Sequence, residues 1–163
     1  MKPRINMFEA NPKAMQTMMA MQAYVDGSGL EPKLLHLVKL RASQINGCAY
    51  CIDMHSKDAR AEGETEQRLY ALTAWREPPF YDARERAALA WTEAVTLLTE
   101  GHVPDHEFAA VREHFSEEEL VSLTLAITTI NAWNRLSVSF RAVPGTYQRQ
   151  VSSVSVSSSR PQA

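Results

Sequence analysis

The segment that constrains the fold most is "SEEELVSLTLAITTINAWNRLSVSF", beginning at Ser116. Ser116 and Glu119 stand in the spacing of a capping box, and the residues that follow are apolar on nearly every side of a helical wheel. A helix without a polar face has to be covered all round, so this one is expected at the centre of a helical bundle. The rest of the chain supplies the cover. Its 163 residues hold only six glycines, and these fall between the apolar-periodic stretches, at 27 and 29, 47, 63, 101 and 145.

Read between those breaks, the chain is all-α, with about six to seven helices. A first helix is expected from Pro12 to Val25. A second starts at Pro32, a residue suited to the first turn, and ends near Gly47. A third begins at the cysteines and stops before Gly63, and a fourth covers Glu64 to Trp75 before "REPPFYD" breaks it. Asp82 and Glu85 form a second capping box and open "ARERAALAWTEAVTLLTE", which Gly101 closes. A shorter helix from Pro104 to His114 precedes the central one. Met15, Met18, Met19 and Met21 form a stripe that suits a cofactor, although their mixed spacing favours adaptable core packing. One helical domain over residues 1–147 is expected, with its core motif at 30–62 and a serine-rich disordered tail over 148–163.

Composition removes several classes of function. With 45% apolar and 22% charged residues the chain reads as an ordinary globular protein, and a net charge of −2 gives it no basic field for nucleic acid or anionic lipid. No segment is long and apolar enough to span a membrane, and "MKPRINMFEANPK" lacks the apolar run of a secretion signal. A cytoplasmic protein is the expectation. In a reducing compartment a structural disulfide is disfavoured, which bears directly on the two cysteines.

Both lie in "QINGCAYCIDMHS". Cys48, Cys51 and His55 are spaced i, i+3 and i+7, which on a helix is one stripe with a turn between neighbours. Gly47 marks the turn into that helix, so Cys48 falls at a helix N-terminus, where free N–H groups favour a thiolate. Three readings follow. The pair can cycle between dithiol and disulfide, with His55 moving protons. It can contribute to a zinc site, although no second such pair exists and His36, His102 or Glu93 would have to complete it. Or the two thiols are buried and inert. The redox reading accounts best for the glycine turn and the helical histidine together.

The words around the cysteines add to this. "LVKLRASQINGCAYCIDMHSKDARAEGETEQRLYALTAWRE", "RERAALAWTEAVT", "GHVPD" and "INAWNRL" resemble the AhpD-like alkylhydroperoxidase branch of the carboxymuconolactone decarboxylase superfamily, in matching order from Leu30 to Tyr147. The resemblance implies an all-helical fold in a homo-trimer or homo-hexamer and a thiol-dependent peroxidase, with a redox-active Cys48–Cys51 disulfide and no bound cofactor or metal. It makes Cys51 the peroxidatic nucleophile, Cys48 the resolving thiol and His55 the relay histidine. It also implies an external dithiol reductant such as dihydrolipoamide on a lipoyl protein, and a peroxiredoxin partner. Two positions depart from the family pattern. The relay glutamate falls on His36, and the histidine between the family's cysteines is Tyr50, read here as packing or lining the pocket.

Glu93 is a candidate substitute acid–base, since it interrupts the apolar stripe Leu89–Glu93–Leu97 and is expected near His55 or Cys51. An exposed Glu93 beside Arg86 and Glu100 is the competing reading. Asn131, Trp133, Asn134 and Arg135 place polar groups in the apolar last helix, where they are expected to tie helix ends or a subunit contact together. His102, His106 and His114 read as surface or interface residues. Alternative functions are a protein-disulfide reductase or redox-sensing adaptor with little peroxide turnover, and a non-enzymatic metal-binding or assembly module. A muconolactone-type decarboxylase would have no use for the dithiol.

Overall fold

The computed structural model describes residues 1–149, so most of the serine-rich tail, residues 150–163, lies outside the described residues. Nine α-helices and one 3-10 turn, with no strand, make up the described residues. They are α1 (Met7–Ala10), α2 (Pro12–Asp26), α3 (Pro32–Ile45), α4 (Ala49–Ala61), α5 (Glu66–Ala71), α6 (Ala83–Thr96), α7 (Leu98–Gly101), α8 (Asp105–Arg112) and α9 (Glu117–Phe140). The 3-10 turn, Leu72–Ala74, continues α5.

Local chemistry sets most of the helix starts. The Asn11 side chain accepts from the Ala14 N–H at 3.1 Å, and Pro12 occupies the first turn of α2. Both capping boxes form. Asp82 and Glu85 cap α6 reciprocally, and Ser116 and Glu119 do the same for α9. Boundaries moved where the sequence carries no marker. The helix expected to run unbroken to Gly101 breaks at Leu97, with apolar residues continuing on both sides of the break. The short α1, capped by Asn6, was not expected.

The centre of the bundle is not the helix the sequence favours. The enclosed element is α3, which buries Leu34, Leu35, Leu37, Val38 and Leu40 and packs most extensively on α4, α6 and α9. By contrast α9 buries one broad face, through Leu123, Ala126, Ile127 and Ile130, and leaves Val121 67% and Val138 52% exposed. An apolar circumference predicts cover on every side, but this chain provides it on one. The methionines divide in the same way. Met15 enters the core, whereas Met19 is half exposed and lines a cavity at one end of the bundle.

Three apolar clusters fill the interior. The largest joins α2, α3, α6, α8 and α9 through residues such as Val25, Leu34, Trp91, Val111 and Leu123. A second joins α3 to α4, α5 and α6 around Leu37, Leu72, Trp75 and Leu89. The third is small and consists of Ala42, Ile130 and the two cysteines. The two cysteines are thus built into the core packing, not hung on a loop.

Candidate functional site: a buried dithiol at the wall of an apolar cavity

The site begins with the way α3 ends. Gly47 takes a left-handed φ of +64°, the Cys48 N–H bonds the Ser43 carbonyl at 3.0 Å, and the Gly47 N–H bonds that of Gln44 at 3.2 Å. This pair of bonds is a Schellman motif, and glycine is the residue that enters it without strain. The motif turns the chain so tightly that the next residue, Cys48, is already the N-cap of α4.

Buried amides hold the turn in place. The Asn46 Nδ2 donates to Asn131 Oδ1 at 2.7 Å and to Asn134 Oδ1 at 2.9 Å, and Asn134 Nδ2 donates to Ser43 Oγ at 3.0 Å. Of the polar residues of the last helix, Asn131 and Asn134 therefore tie a helix end in place, and that end leads into the dithiol. Asn46, Ser43 and Ser137 were not singled out from sequence. Asn46 next to Gly47 is ordinary turn chemistry, and only the packed α9 reveals what it binds.

The Cys48 and Cys51 sulfurs lie 2.7 Å apart, each residue 1% exposed. At this distance one thiol hydrogen-bonds the other, and small side-chain rotations bring the two sulfurs to bonding distance. Hydrogen bonding from Cys51 lowers the Cys48 pKa to about 6, against the opposing effect of burial, and the Cys51 backbone N–H, Asn134 and Ser137 add to the lowering. The Cys51 pKa is pushed up, by the same partnership with Cys48 and by burial. Their mutual hydrogen bond sets the direction, and the helix terminus adds to it. Charge left on Cys48 faces the free N–H groups of the first turn of α4, while charge on Cys51 does not.

Cys51 is the cysteine that borders a cavity. It lines a cavity of about 530 Å³, together with Tyr50, Met54, His55, Trp133 and Met19. Cys48 sits behind it, against Ala42 and Ile130. The N-terminal segment covers part of the cavity. The Arg4 N–H bonds the Phe140 carbonyl at 2.9 Å, and Phe8 stacks on Trp133 with ring centroids 6.3 Å apart. On the other side, residues 145–149 run along α4, with Tyr147 donating to Asp58 Oδ1 at 2.8 Å and Arg149 pairing with Glu62 at 2.9 Å. Volume and lining are those of a small-molecule site.

His55, one turn beyond Cys51, is buried in the cavity wall with no partner for its Nε2. Burial lowers its pKa to about 3, and the nearby Lys39 and His36 push in the same direction. It is a neutral imidazole at physiological pH. His36 also lines the cavity. Its Nε2 lies 2.9 Å from Glu62 Oε2, and its Nδ1 is buried without a partner. Lys39, on the same face of α3, donates to Asp26 Oδ1 at 3.0 Å. Tyr50 is half-buried at the cavity wall beside the cysteines, in keeping with pocket lining.

Glu93 is in neither the cavity wall nor the cysteine cluster. Its carboxylate accepts from Arg41 Nε and Trp75 Nε1, each at 2.8 Å, and pairs with Arg76 at 2.6 Å. The expectation that it stands near His55 or Cys51 is corrected. A carboxylate in an apolar stripe needs a partner, and here three donors from α3 and from the segment after α5 satisfy it. His102 is also remote, in a left-handed turn after α7. Among the described residues no group of three or more His, Cys, Asp or Glu is placed to hold a metal ion, and no helix is long and apolar enough to cross a membrane.

Comparison with known proteins agrees with this architecture. The model of the carboxymuconolactone decarboxylase family matches residues 12–94. The uncharacterized protein YdfG of Bacillus subtilis is 48% identical over 138 residues, covering 85% of this chain and 94% of its own. A protein of unknown function from Agrobacterium tumefaciens, ATU0492, a candidate antioxidant defence protein AhpD, superposes with a TM-score of 0.87 at 49% identity, over 90% of this chain and all of the other. The debrominase Bmp8 shares the fold, with a TM-score of 0.74 at 20% identity over 85% of this chain and 75% of its own. The chain belongs to the carboxymuconolactone decarboxylase family, in its AhpD-like branch.

Proposed function

We propose that this protein is a thiol-dependent peroxidase that reduces organic or hydrogen peroxides through a Cys48–Cys51 dithiol–disulfide cycle. One observation carries the reading. Of two sulfurs 2.7 Å apart, one forms the wall of an apolar cavity and the other lies directly behind it. That is the arrangement a nucleophile and its resolving thiol require.

In this scheme Cys51 loses its proton and its thiolate attacks one oxygen of the peroxide ROOH. The O–O bond breaks, ROH leaves after taking up a proton, and Cys51 becomes a sulfenic acid. The Cys48 thiolate then attacks the Cys51 sulfur, releasing water once the departing hydroxide is protonated, and a disulfide forms. An external dithiol such as dihydrolipoamide, alone or on a lipoyl protein, returns both cysteines to the thiol state and is itself oxidised. The low Cys48 pKa suits the resolving step, because the attacking sulfur is already charged near neutral pH. A peroxiredoxin partner, a homo-trimer or homo-hexamer and a cytoplasmic setting belong to the same proposal.

The alternative of a protein-disulfide reductase is less well supported. Both cysteines are 1% exposed, with the N-terminal segment over the cavity, and a disulfide on a folded partner does not reach them without moving it. The test is peroxide consumption with dihydrolipoamide as donor, for wild type and Cys51→Ser. Turnover lost in the variant supports the proposal. Turnover that survives, or a wild type that cycles its disulfide without consuming peroxide, rejects it.

A further inference from the structure

The resting dithiol poses a problem for the chemistry just proposed. The sulfur that faces the cavity, Cys51, holds the proton, and the neighbouring His55 is a buried imidazole that resists protonation. The Cys48 sulfur 2.7 Å away can take that proton only by giving up its own charge, so a further acceptor at the cavity would leave both sulfurs ready for their two steps. His36 and Glu62 have the required arrangement. They come from different elements, α3 and the C-cap of α4, and both line the cavity that Cys51 and His55 line.

We infer that Glu62 is a positioning residue that fixes the tautomer of His36, so that the His36 Nδ1 serves as the proton acceptor of the dithiol site. An ionised carboxylate only accepts hydrogen bonds, so the 2.9 Å contact from His36 Nε2 to Glu62 Oε2 places the ring proton on Nε2. With the ring proton on Nε2, the acceptor atom of the imidazole is Nδ1. That atom is buried and has no partner, and so does the Nε2 of His55. Two unpartnered imidazole nitrogens beside one cavity are a costly arrangement unless a ligand, water or transferred proton is shared with them. The carboxylate–histidine pair follows the logic by which an acid residue orients a catalytic imidazole.

Other charges face this pair. Lys39 and His55 lie on the cavity side, Asp26 holds Lys39, Asp58 lines the cavity and binds Tyr147, and Arg149 takes the second oxygen of Glu62 at 2.9 Å. Glu62 thus has two partners, one in the cavity wall and one in the segment after α9. Those two partners allow its roles to be separated.

This inference rests on the dithiol site but not on peroxide being its substrate, so the experiment uses no peroxide. The rate of Cys51 alkylation by iodoacetamide, located by peptide sequencing, is measured with nitrogen NMR of the His36 ring. Wild type, Glu62→Gln and Arg149→Gln are compared. Glu62→Gln keeps the size of the side chain but removes its charge. The expected result is loss of the Nε2–H tautomer signature at His36 and Cys51 alkylation slowed about tenfold or more at neutral pH. Arg149→Gln, which loses only the outer partner, is expected within about twofold of wild type. Equal slowing in both variants would mean that Glu62 merely docks the C-terminal segment, and overturns the inference. An unchanged tautomer or an unchanged Cys51 rate in Glu62→Gln overturns it as well. A protein that consumes no peroxide but shows the expected alkylation pattern loses the proposed function and keeps the His36–Glu62 pair.

Discussion

Burial of His55 makes a quantitative statement about stability. Its pKa is about 3 in the folded protein and about 6.5 when unfolded, so the unfolded state binds a proton that the folded state refuses. A lowered pKa stabilises the fold fully above the unfolded value, and the contribution is lost as pH falls. Between pH 7.5 and 5 the unfolded imidazole gains nearly a full proton while the folded one stays neutral. The loss is about 1.4 kcal/mol for each pH unit between 6.5 and 5, or about 2 kcal/mol in all. This figure requires only that the folded midpoint lie well below pH 5. Urea denaturation at pH 7.5, 6 and 5 measures it, with His55→Gln as the reference that lacks the titrating ring. The carboxylates titrate in both proteins and cancel in the difference. The stability gap between wild type and variant should move by about 2 kcal/mol over this range, against wild type at low pH. Parallel curves would refute the claim that His55 is held neutral by burial.

Two further outcomes follow from residues around the site. Gly47→Ala puts a side chain at φ +64° with nothing nearby to clash, so only backbone strain remains and the loss should be about 1 kcal/mol, seen as a lower urea midpoint at unchanged slope. Glu93→Gln leaves Arg41 and Arg76 without their carboxylate, and should cost about 1–3 kcal/mol of stability while the rate of disulfide formation between Cys48 and Cys51 stays at the wild-type value. A slowed disulfide in that variant would return Glu93 to the site.

The local parts of the site were legible in the chain. Cys48, Cys51 and His55 share a helix face because their spacing follows the helical period, and Gly47 ends α3 because few other residues enter the left-handed region cheaply. Both capping boxes formed because each closes within four residues. What could not be read spans long stretches of chain. His36 meets Glu62, Asn46 meets Asn134, and Arg41 meets Glu93 only because α3 lies enclosed by α4, α6 and α9.

The placement of Glu93 shows the limit well. Its stripe correctly marked a carboxylate in apolar surroundings, but the stripe does not say which neighbour supplies the counter-charge. The same holds for the position where the family's relay glutamate falls on His36. Sequence alone shows a histidine without a carboxylate, and the tertiary structure returns one from the end of α4. Spacing along one helix decides which side chains share a face, since the backbone geometry is common to all helices. Which faces meet depends on the packing of the whole core, and that packing alone decided what lines the cavity beside Cys51.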